Sequence, residues 1–283
     1  GYPANPILTA RSTAEPVQNV GHADLVDTPD GLTFAVALGV RPVGFTRSFS
    51  PLGRETFLTP VDWVDGWPHP RPILNESLAP RDTASLELDL AAPGTLDHPA
   101  WIGLRRQPRE VASVTDSGLT ITSRGSGLSD LDVAFVGRRQ HHHTATFRTT
   151  IAPSSGVGGL AARQSDELWF AVEAEASDGA VRVRAVAALA GISQSWEHEF
   201  PGAEVTLTME FSVAAPYRPG DGLPPTGGDR IRLTASDGGD SVTLAELDGR
   251  YWSFETSESF TGRVIGLYAT RGAVTFRSLT ITE

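Results

Sequence analysis

Two side chains near the start of the sequence can carry metal or proton chemistry. His22 and Asp24 are two positions apart, so in a regular strand they point to the same face. A neutral imidazole can ligate a metal ion, or it can orient water and carboxylates. The structural alternatives are a buried, hydrogen-bonded histidine and an aspartate that accepts from backbone amides in a turn.

Arg54 is a further candidate, because of the chemistry of its side chain. Its rigid guanidinium fork can hold two acceptors at once and can lower the pKa of a neighbouring carboxylate. A salt bridge with the adjacent Glu55 is the structural alternative. Arg41, which precedes Pro42, is predicted to stabilise its own sheet instead.

Aromatic residues and a histidine cluster supply the other candidates. The histidines at 141–143 alternate faces, so they cannot all bind one ion, and with Arg138 and Arg139 they are predicted to make hydrogen bonds between domains. Tryptophan can stack on a ligand, but most are expected in the core or at a domain contact. The six tryptophans are Trp63, Trp67, Trp101, Trp169, Trp196 and Trp252.

The elements that must position these residues are predicted to be strands. From about Ser85 onward, short segments alternate apolar and polar residues, which is the period of a half-buried strand, and turn residues separate them. The segments are Leu119 to Thr122, Ala145 to Ile151, Val181 to Val186, Val205 to Phe211, Ile231 to Ala235, Val264 to Tyr268 and Val274 to Ile281. This pattern predicts an all-β sandwich or jelly roll over 85–283.

The first seventy residues predict a separate, smaller sheet. Ala23 to Val26 and Thr33 to Gly39 flank a Thr-Pro-Asp-Gly turn, which indicates a hairpin, and Arg54 to Trp63 is a further extended segment. Three or four antiparallel strands correspond to one propeller blade, and a sheet that small is marginal by itself. Residues 71–84 are predicted to be a linker.

Composition excludes several classes of function. The 283 residues carry a net charge of -11 and no lysine, which argues against nucleic-acid binding. With no cysteine there is neither a thiol nucleophile nor a thiolate metal site. No apolar run is long enough to span a bilayer, so no membrane partner is expected. The compartment is left open, with the cytoplasm favoured over secretion.

Several stretches resemble glycoside hydrolase family 43. In the first part they are Asn5 to Thr9, Gln18 to Val26, Leu38 to Pro42, Leu52 to Leu58, Trp63 and Gly66 to Pro68. In the second part they are Trp101 to Arg105, Gly137 to His142, Leu247 to Arg250, Phe260 to Gly262 and Ile265 to Tyr268. The resemblance is to the β-xylosidase and α-L-arabinofuranosidase branch. It implies that 1–70 is the last blade of a five-bladed β-propeller and that a concanavalin-A-like sandwich follows.

The resemblance also implies site residues. Enzymes of this family invert the anomeric centre with carboxylates from earlier blades, and no catalytic residue is carried over onto this sequence. Arg54 and His22 are expected to bind substrate, with His22 also near a central hydrated cation, directly or through water. Phe260 is expected to cap the pocket from the sandwich, the alternative being a core phenylalanine.

The implied function is a part of an exo-glycosidase that releases xylose or arabinose from hemicellulose oligosaccharides. No cofactor is required, although a calcium ion is conceivable at the propeller axis. The Pro-rich start predicts that N-terminal blades are missing, so the isolated chain is expected to be inactive, and the exposed blade edge predicts self-association. A non-catalytic carbohydrate-binding or structural β-sandwich is the alternative function.

Overall fold

The computed structural model describes residues 1–44, 47–73, 85–153, 155–214, 222, 227–257 and 260–283. The described residues form three antiparallel sheets of four, eight and seven strands. This confirms the predicted all-β class. Most of the predicted linker, 74–84, lies outside the described residues. The described part of the predicted linker, 71–73, packs on the four-stranded sheet. There the Arg71 amide donates to the Pro60 carbonyl (2.9 Å), and Ile73 is buried.

The four-stranded sheet runs in sequence order, which is the arrangement of one propeller blade. Its strands are β1 (Gln18–Asp27), β2 (Thr33–Val40), β3 (Glu55–Val64) and β4 (Trp67–Pro70). The predicted hairpin is confirmed, since Asp27 pairs with Thr33 around the turn. Strand β2 alternates buried and partly buried residues, as a central strand with one face on a core should.

A β-bulge interrupts β1 at the candidate histidine. Gly21 pairs with Leu38 and Asp24 with Val36, so β1 has one residue more than its partner between these pairs, and His22 has a φ of 53°. Extra residues of this kind break the alternation of side chains along a strand. The condition under which His22 and Asp24 would share a face, a regular strand, is therefore not met. Both side chains are exposed.

The eight-stranded sheet forms one layer of the sandwich. Its strands are β5 (Leu86–Asp89), β7 (Ala112–Thr115), β8 (Gly118–Thr122), β10 (Ala145–Ile151), β15 (Val205–Ser212), β16 (Arg230–Ser236), β17 (Ser241–Asp248) and β19 (Ala273–Thr282). They are ordered β17-β16-β15-β10-β19-β8-β7, and β5 pairs with β19. Every strand predicted from alternation within this layer is present.

The seven-stranded sheet forms the other layer. Its strands are β6 (Ile102–Gly103), β9 (Ala134–Arg139), β11 (Val157–Arg163), β12 (Leu168–Ser177), β13 (Ala180–Leu189), β14 (Ile192–Pro201) and β18 (Val264–Arg271). The order is β14-β13-β12-β11-β18-β9-β6. The two layers enclose one large apolar core, in which the rings of Phe170 and Phe211 meet across the layers at 6.1 Å.

Helical structure among the described residues is confined to four short 3₁₀ segments. These are Thr95–Asp97, Pro108–Glu110, Gly249–Trp252 and Phe254–Thr256. None of the helices in the described ranges is long and apolar enough to cross a membrane. The last two matter for function, because they lie in the loop between β17 and β18 that contacts the four-stranded sheet.

Candidate functional site

The four-stranded sheet and the sandwich meet backbone to backbone. Gly53 forms a β-bridge with Thr261, and the Arg54 amide donates to the Phe260 carbonyl at 2.9 Å. Gly53 has a φ of 66°, and a Cβ on it would lie 2.2 Å from the amide nitrogen of Gly262. Only glycine allows both the left-handed backbone and this close approach. The contact therefore fixes the position of Arg54 beside the sandwich loop.

Arg54 lies across two aromatic rings of that loop. Its guanidinium carbon is 4.2 Å from the centre of the Phe260 ring and 5.4 Å from that of Phe254. A cation over the face of an aromatic ring is attracted by the ring quadrupole. Glu55 pairs with Arg41, and within the described residues no carboxylate engages the Arg54 guanidinium, so the salt bridge expected as the structural alternative does not form.

Phe260 is an exposed aromatic residue. Phe260 is 62% exposed, and its ring lies tilted by 36° against that of Phe254, with ring centres 6.2 Å apart. The alternative of a core phenylalanine is therefore wrong. Family resemblance proposed Phe260 as a lid residue but did not propose its contact with Arg54, and its role as a lid stays a prediction.

The loop that carries Phe260 is anchored by residues that sequence reasoning did not identify. The amide of Ser50 donates to Glu255 (2.7 Å), and the amide of Phe254 donates back to the Ser50 carbonyl (3.1 Å). Ser253 and Thr256 cap the short helical turn reciprocally. A Ser-x-x-Thr spacing is a weak form of the capping-box pattern and was the signal available in the sequence.

A buried ion pair lies beneath the same loop. Arg263 and Asp229 are both fully buried, and the guanidinium makes two bonds to the carboxylate, at 2.5 and 2.9 Å. It also donates to the carbonyls of Gly249 and Trp252, both at 2.8 Å. Since a buried charge needs a partner at nearly every donor, this network holds the loop in one conformation.

Arg41 makes a second link between the four-stranded sheet and the sandwich. It forms a bidentate pair with Glu55, at 2.7 and 2.8 Å, and donates to the carbonyl of His141 at 2.8 Å. The Nε2–H of His143 donates to the Arg41 carbonyl at 2.8 Å. Arg41 thus stabilises its own sheet as predicted, and the histidine cluster makes hydrogen bonds across the domain contact.

We expect replacing Arg41 by glutamine to destabilise the protein by about 1–3 kcal/mol, because the pair is mostly shielded from water and includes charge-assisted bonds. The side chains of Arg41 and Glu55 are 15% and 24% exposed. The matched control is Arg71→Gln, whose pair with Asp62 is 60% and 57% exposed. That change should hardly alter the free energy of unfolding, because solvent screens an exposed pair. Equal shifts of the two variants in urea unfolding would contradict the prediction.

The domain contact should also depend on pH through His143. Burial lowers the pKa of His143 below its ordinary value of 6.5, and Arg41 adds to this, while the hydrogen bond to the Arg41 carbonyl and the charges of Asp229 and Glu55 oppose it. The folded state therefore binds fewer protons than the unfolded chain in this range. The contribution of His143 is fully present above pH 6.5 and is lost as pH falls through the lowered pKa.

The measurement is the free energy of unfolding between pH 7.5 and 5, a range chosen to bracket the ordinary histidine pKa of about 6.5. His143→Gln keeps a donor towards the Arg41 carbonyl but cannot titrate, so its stability should decline less than that of the natural protein. The reference is the natural protein, measured over the same range. A variant at 143 with an unchanged slope would refute the assignment.

The remaining candidates differ in their exposure. His22 stands on the exposed, bulged β1, and in the described ranges no three side chains of His, Asp or Glu come together as a metal site. Trp101 and Trp252 are buried as expected, whereas Trp63 and Trp67 are 53% and 42% exposed. Trp67 stacks on Tyr2, with ring centres 4.8 Å apart.

The residues at this contact can form one side of a binding site, but they do not form a complete catalytic centre. Arg54 offers a positioned fork of donors, and Phe260 offers an exposed ring held beside it. A fork of this kind can bind a hydroxyl and a carboxylate together. Acid–base chemistry would need carboxylates that the described residues do not place next to Arg54.

Comparison with known proteins identifies two family matches. The model described as glycosyl hydrolases family 43 matches residues 1–68. The model described as the beta xylosidase C-terminal concanavalin A-like domain matches residues 96–277. The two matched ranges correspond to the four-stranded sheet and to the sandwich.

Curated relatives carry consistent names. A non-reducing end alpha-L-arabinofuranosidase, BoGH43B of Bacteroides ovatus, is 31% identical over 181 residues, covering 58% of this chain and 34% of that protein. A xylosidase/arabinosidase of Butyrivibrio fibrisolvens is 31% identical over 191 residues, covering 59% of this chain and 35% of that protein. The aligned region spans about a third of the length of these relatives.

Solved structures match nearly the whole chain. The Bacteroides ovatus xyloglucan PUL GH43B superposes with a TM-score of 0.79 at 25% identity, over 99% of this chain and 57% of that one. A xylan beta-1,4-xylosidase from Bacillus halodurans superposes with a TM-score of 0.78 at 19% identity, over 100% of this chain and 57% of that one. The second likeness shows the fold alone.

Proposed function

The chain belongs to glycosyl hydrolases family 43 and carries its beta-xylosidase C-terminal concanavalin A-like domain, and from this premise we propose its function. The chain serves in an inverting exo-glycosidase, which releases xylose or arabinose from hemicellulose oligosaccharides. The names of the relatives, which are arabinofuranosidases and xylosidases, support that pair of sugars. The observation that carries the proposal is the placement of Arg54 against the exposed ring of Phe260.

Each residue has a separate role in the proposal. Arg54 holds a hydroxyl of the terminal sugar and orients a carboxylate at the same time. Phe260 closes the pocket from the sandwich side, which excludes water and confines the site to the end of a chain. His22 is assigned to the pocket as well, through a hydrogen bond to sugar or water.

The general acid and general base are assigned to propeller residues outside this sequence. An inverting site needs two carboxyl groups about 6.5–9.5 Å apart, so that a water molecule fits on the far face of the sugar. Arg54, as a cation beside the acid, would affect its proton affinity. This chain contributes the positioning and the lid, not the proton transfers.

A central cation is not needed for these roles. The described residues alone do not form a direct calcium site, since His22 has no second and third ligand among them. A contact from His22 through water stays a prediction, as do self-association along the β1 edge and the compartment. No step of the proposed chemistry passes through a metal.

The test is hydrolysis by the product of the complete gene. Nitrophenyl β-D-xylopyranoside and α-L-arabinofuranoside are the substrates, and proton NMR of the first-formed sugar reports the anomer. We expect release of at least one of the two pentoses with inversion. Release of neither would refute the proposal and favour the binding or structural alternative.

We expect Phe260→Ala to lower kcat/KM about 2- to 5-fold, because an exposed cation–aromatic contact is worth about 0.5–1 kcal/mol. Phe254→Leu is the control, since Phe254 is farther from the guanidinium, at 5.4 Å against 4.2 Å. It should change kcat/KM less than Phe260→Ala does. A larger effect at 254 than at 260 would contradict the lid assignment.

A further inference from the structure

The outer face of the seven-stranded sheet, opposite the core, contains a cleft of about 240 Å³. One end of the cleft is polar and is formed by Glu173 on β12, Arg184 on β13 and Tyr268 on β18. The opposite end is formed by the indole of Trp169. Between these ends, residues 126–128 form one flank of the cleft and residues 193–195 of the edge strand β14 form the other flank. The cleft is smaller than most ligand pockets, which measure about 300–1,000 Å³.

The polar side is built around a buried carboxylate. The side chain of Glu173 is 7% exposed; it accepts from the Tyr268 hydroxyl at 2.5 Å and from Nε of Arg184 at 2.9 Å. Gly159 lies between Tyr268 and Glu173 in the sheet register, so no side chain separates them. Burial, with the charge of Glu173, raises the pKa of Tyr268 well above its ordinary value, so the hydroxyl stays protonated.

The charged groups at the cleft give no excess of positive charge. Glu173 neutralises Arg184, and Glu197 lies opposite Arg184 on β14. The side chain of Arg184 is 45% exposed and lines the cleft. A site with this charge distribution does not attract an anion, yet it offers oriented donors to neutral hydroxyl groups.

The indole is fixed in place by the loop above it. Nε1 of Trp169 donates to the hydroxyl of Ser129 at 2.9 Å, and Nε of Arg163 donates to the carbonyl of Leu128 at 3.0 Å. Trp169 and Glu173 are four residues apart on one strand face, about 13 Å. The row between them consists of small side chains, where Ala171, Val186 and Ser195 pair across the sheet.

We propose that this cleft binds a neutral saccharide, with a sugar face stacked on Trp169 and its hydroxyls bonded to Arg184 and to the serines of β14. A flat aromatic surface beside a few convergent polar groups is the chemistry that an uncharged polyol needs. The distance from the indole to the polar side admits a short chain of linked rings. The inference goes beyond the proposed function and does not require hydrolysis.

The experiment is a calorimetric titration of the 283-residue chain with xylotetraose, cellotetraose and inorganic phosphate. We expect at least one saccharide to bind with a Kd of about 1 mM or tighter, and phosphate not to bind. Trp169→Ala should weaken binding about tenfold through loss of the stacking surface. Trp169→Phe should retain most of the affinity.

Two variants separate stacking from a structural role of the indole. Trp169→Phe and Ser129→Ala both lose the hydrogen bond from Nε1, but both keep an aromatic ring in the cleft. Unchanged affinity in Ser129→Ala, with melting temperatures near that of the natural chain, is the expected result. Three outcomes overturn the proposal: no saccharide binding at ~10 mM, ten times the expected Kd; equal losses in the two Trp169 variants; or competition by phosphate.

Discussion

Replacing Arg54 by alanine in the product of the complete gene is expected to lower kcat/KM on nitrophenyl pentosides by about 10²- to 10³-fold, the cost of removing one preorganised donor from a transition state. Arg54 is partly buried, its guanidinium lies over Phe260, and no carboxylate of the described residues holds it elsewhere. Its donors are therefore available to the sugar and to the catalytic acid of the proposed site. The loss should appear mainly in kcat if Arg54 orients the acid, and mainly in KM if it only binds sugar.

Two further variants make this result specific. Arg54→Lys keeps the positive charge but loses the fork, so it should recover only part of the activity. Arg71→Ala removes an exposed arginine of the same chain segment, paired with Asp62, and should leave kcat/KM unchanged. If Arg54→Ala turned over substrate at the natural rate, Arg54 would have no part in the reaction.

The sequence predicted several of the strands in which one face meets water. In β10 and β16, buried residues alternate with more exposed ones, so the order of apolar and polar residues alone has a period of two. The same reasoning missed β11, in which all seven residues are buried. One side faces the main core, and the other faces a second cluster formed by Leu128, Phe135 and Tyr268. A strand buried on both faces leaves no alternation to detect.

The candidate site was predictable only in part. Resemblance proposed Arg54 and Phe260 individually. In the structure, the guanidinium carbon of Arg54 is 4.2 Å from the centre of the Phe260 ring, because the β-bridge between Gly53 and Thr261 joins two segments far apart in sequence. No local sequence pattern could show that the Phe254 ring also contacts the Arg54 guanidinium, because that contact depends on tertiary packing. The bulge at His22 was equally hidden, since a single inserted residue changes the facing of side chains without changing composition.

The buried pair Arg263–Asp229 carries the largest expected effect on stability. Arg263→Met is expected to lower the free energy of unfolding by about 3–5 kcal/mol, because it leaves a buried carboxylate without its counter-charge. The carbonyls of Gly249 and Trp252 would lose their donor as well. These residues begin the loop that ends at Phe260, so the loss should also loosen the pocket wall.

The double variant Arg263→Met/Asp229→Leu shows whether the unpaired charge is the cause. With both charges gone, the two side chains can pack as apolar groups, and much of the stability should return. Arg230→Met is the control, since its pair with Glu246 is 66% and 45% exposed and should be worth under about 1 kcal/mol. Urea unfolding measures all three variants. A double variant no more stable than Arg263→Met would instead assign the loss to the two carbonyls, and the loop would then depend on hydrogen bonding rather than on charge compensation.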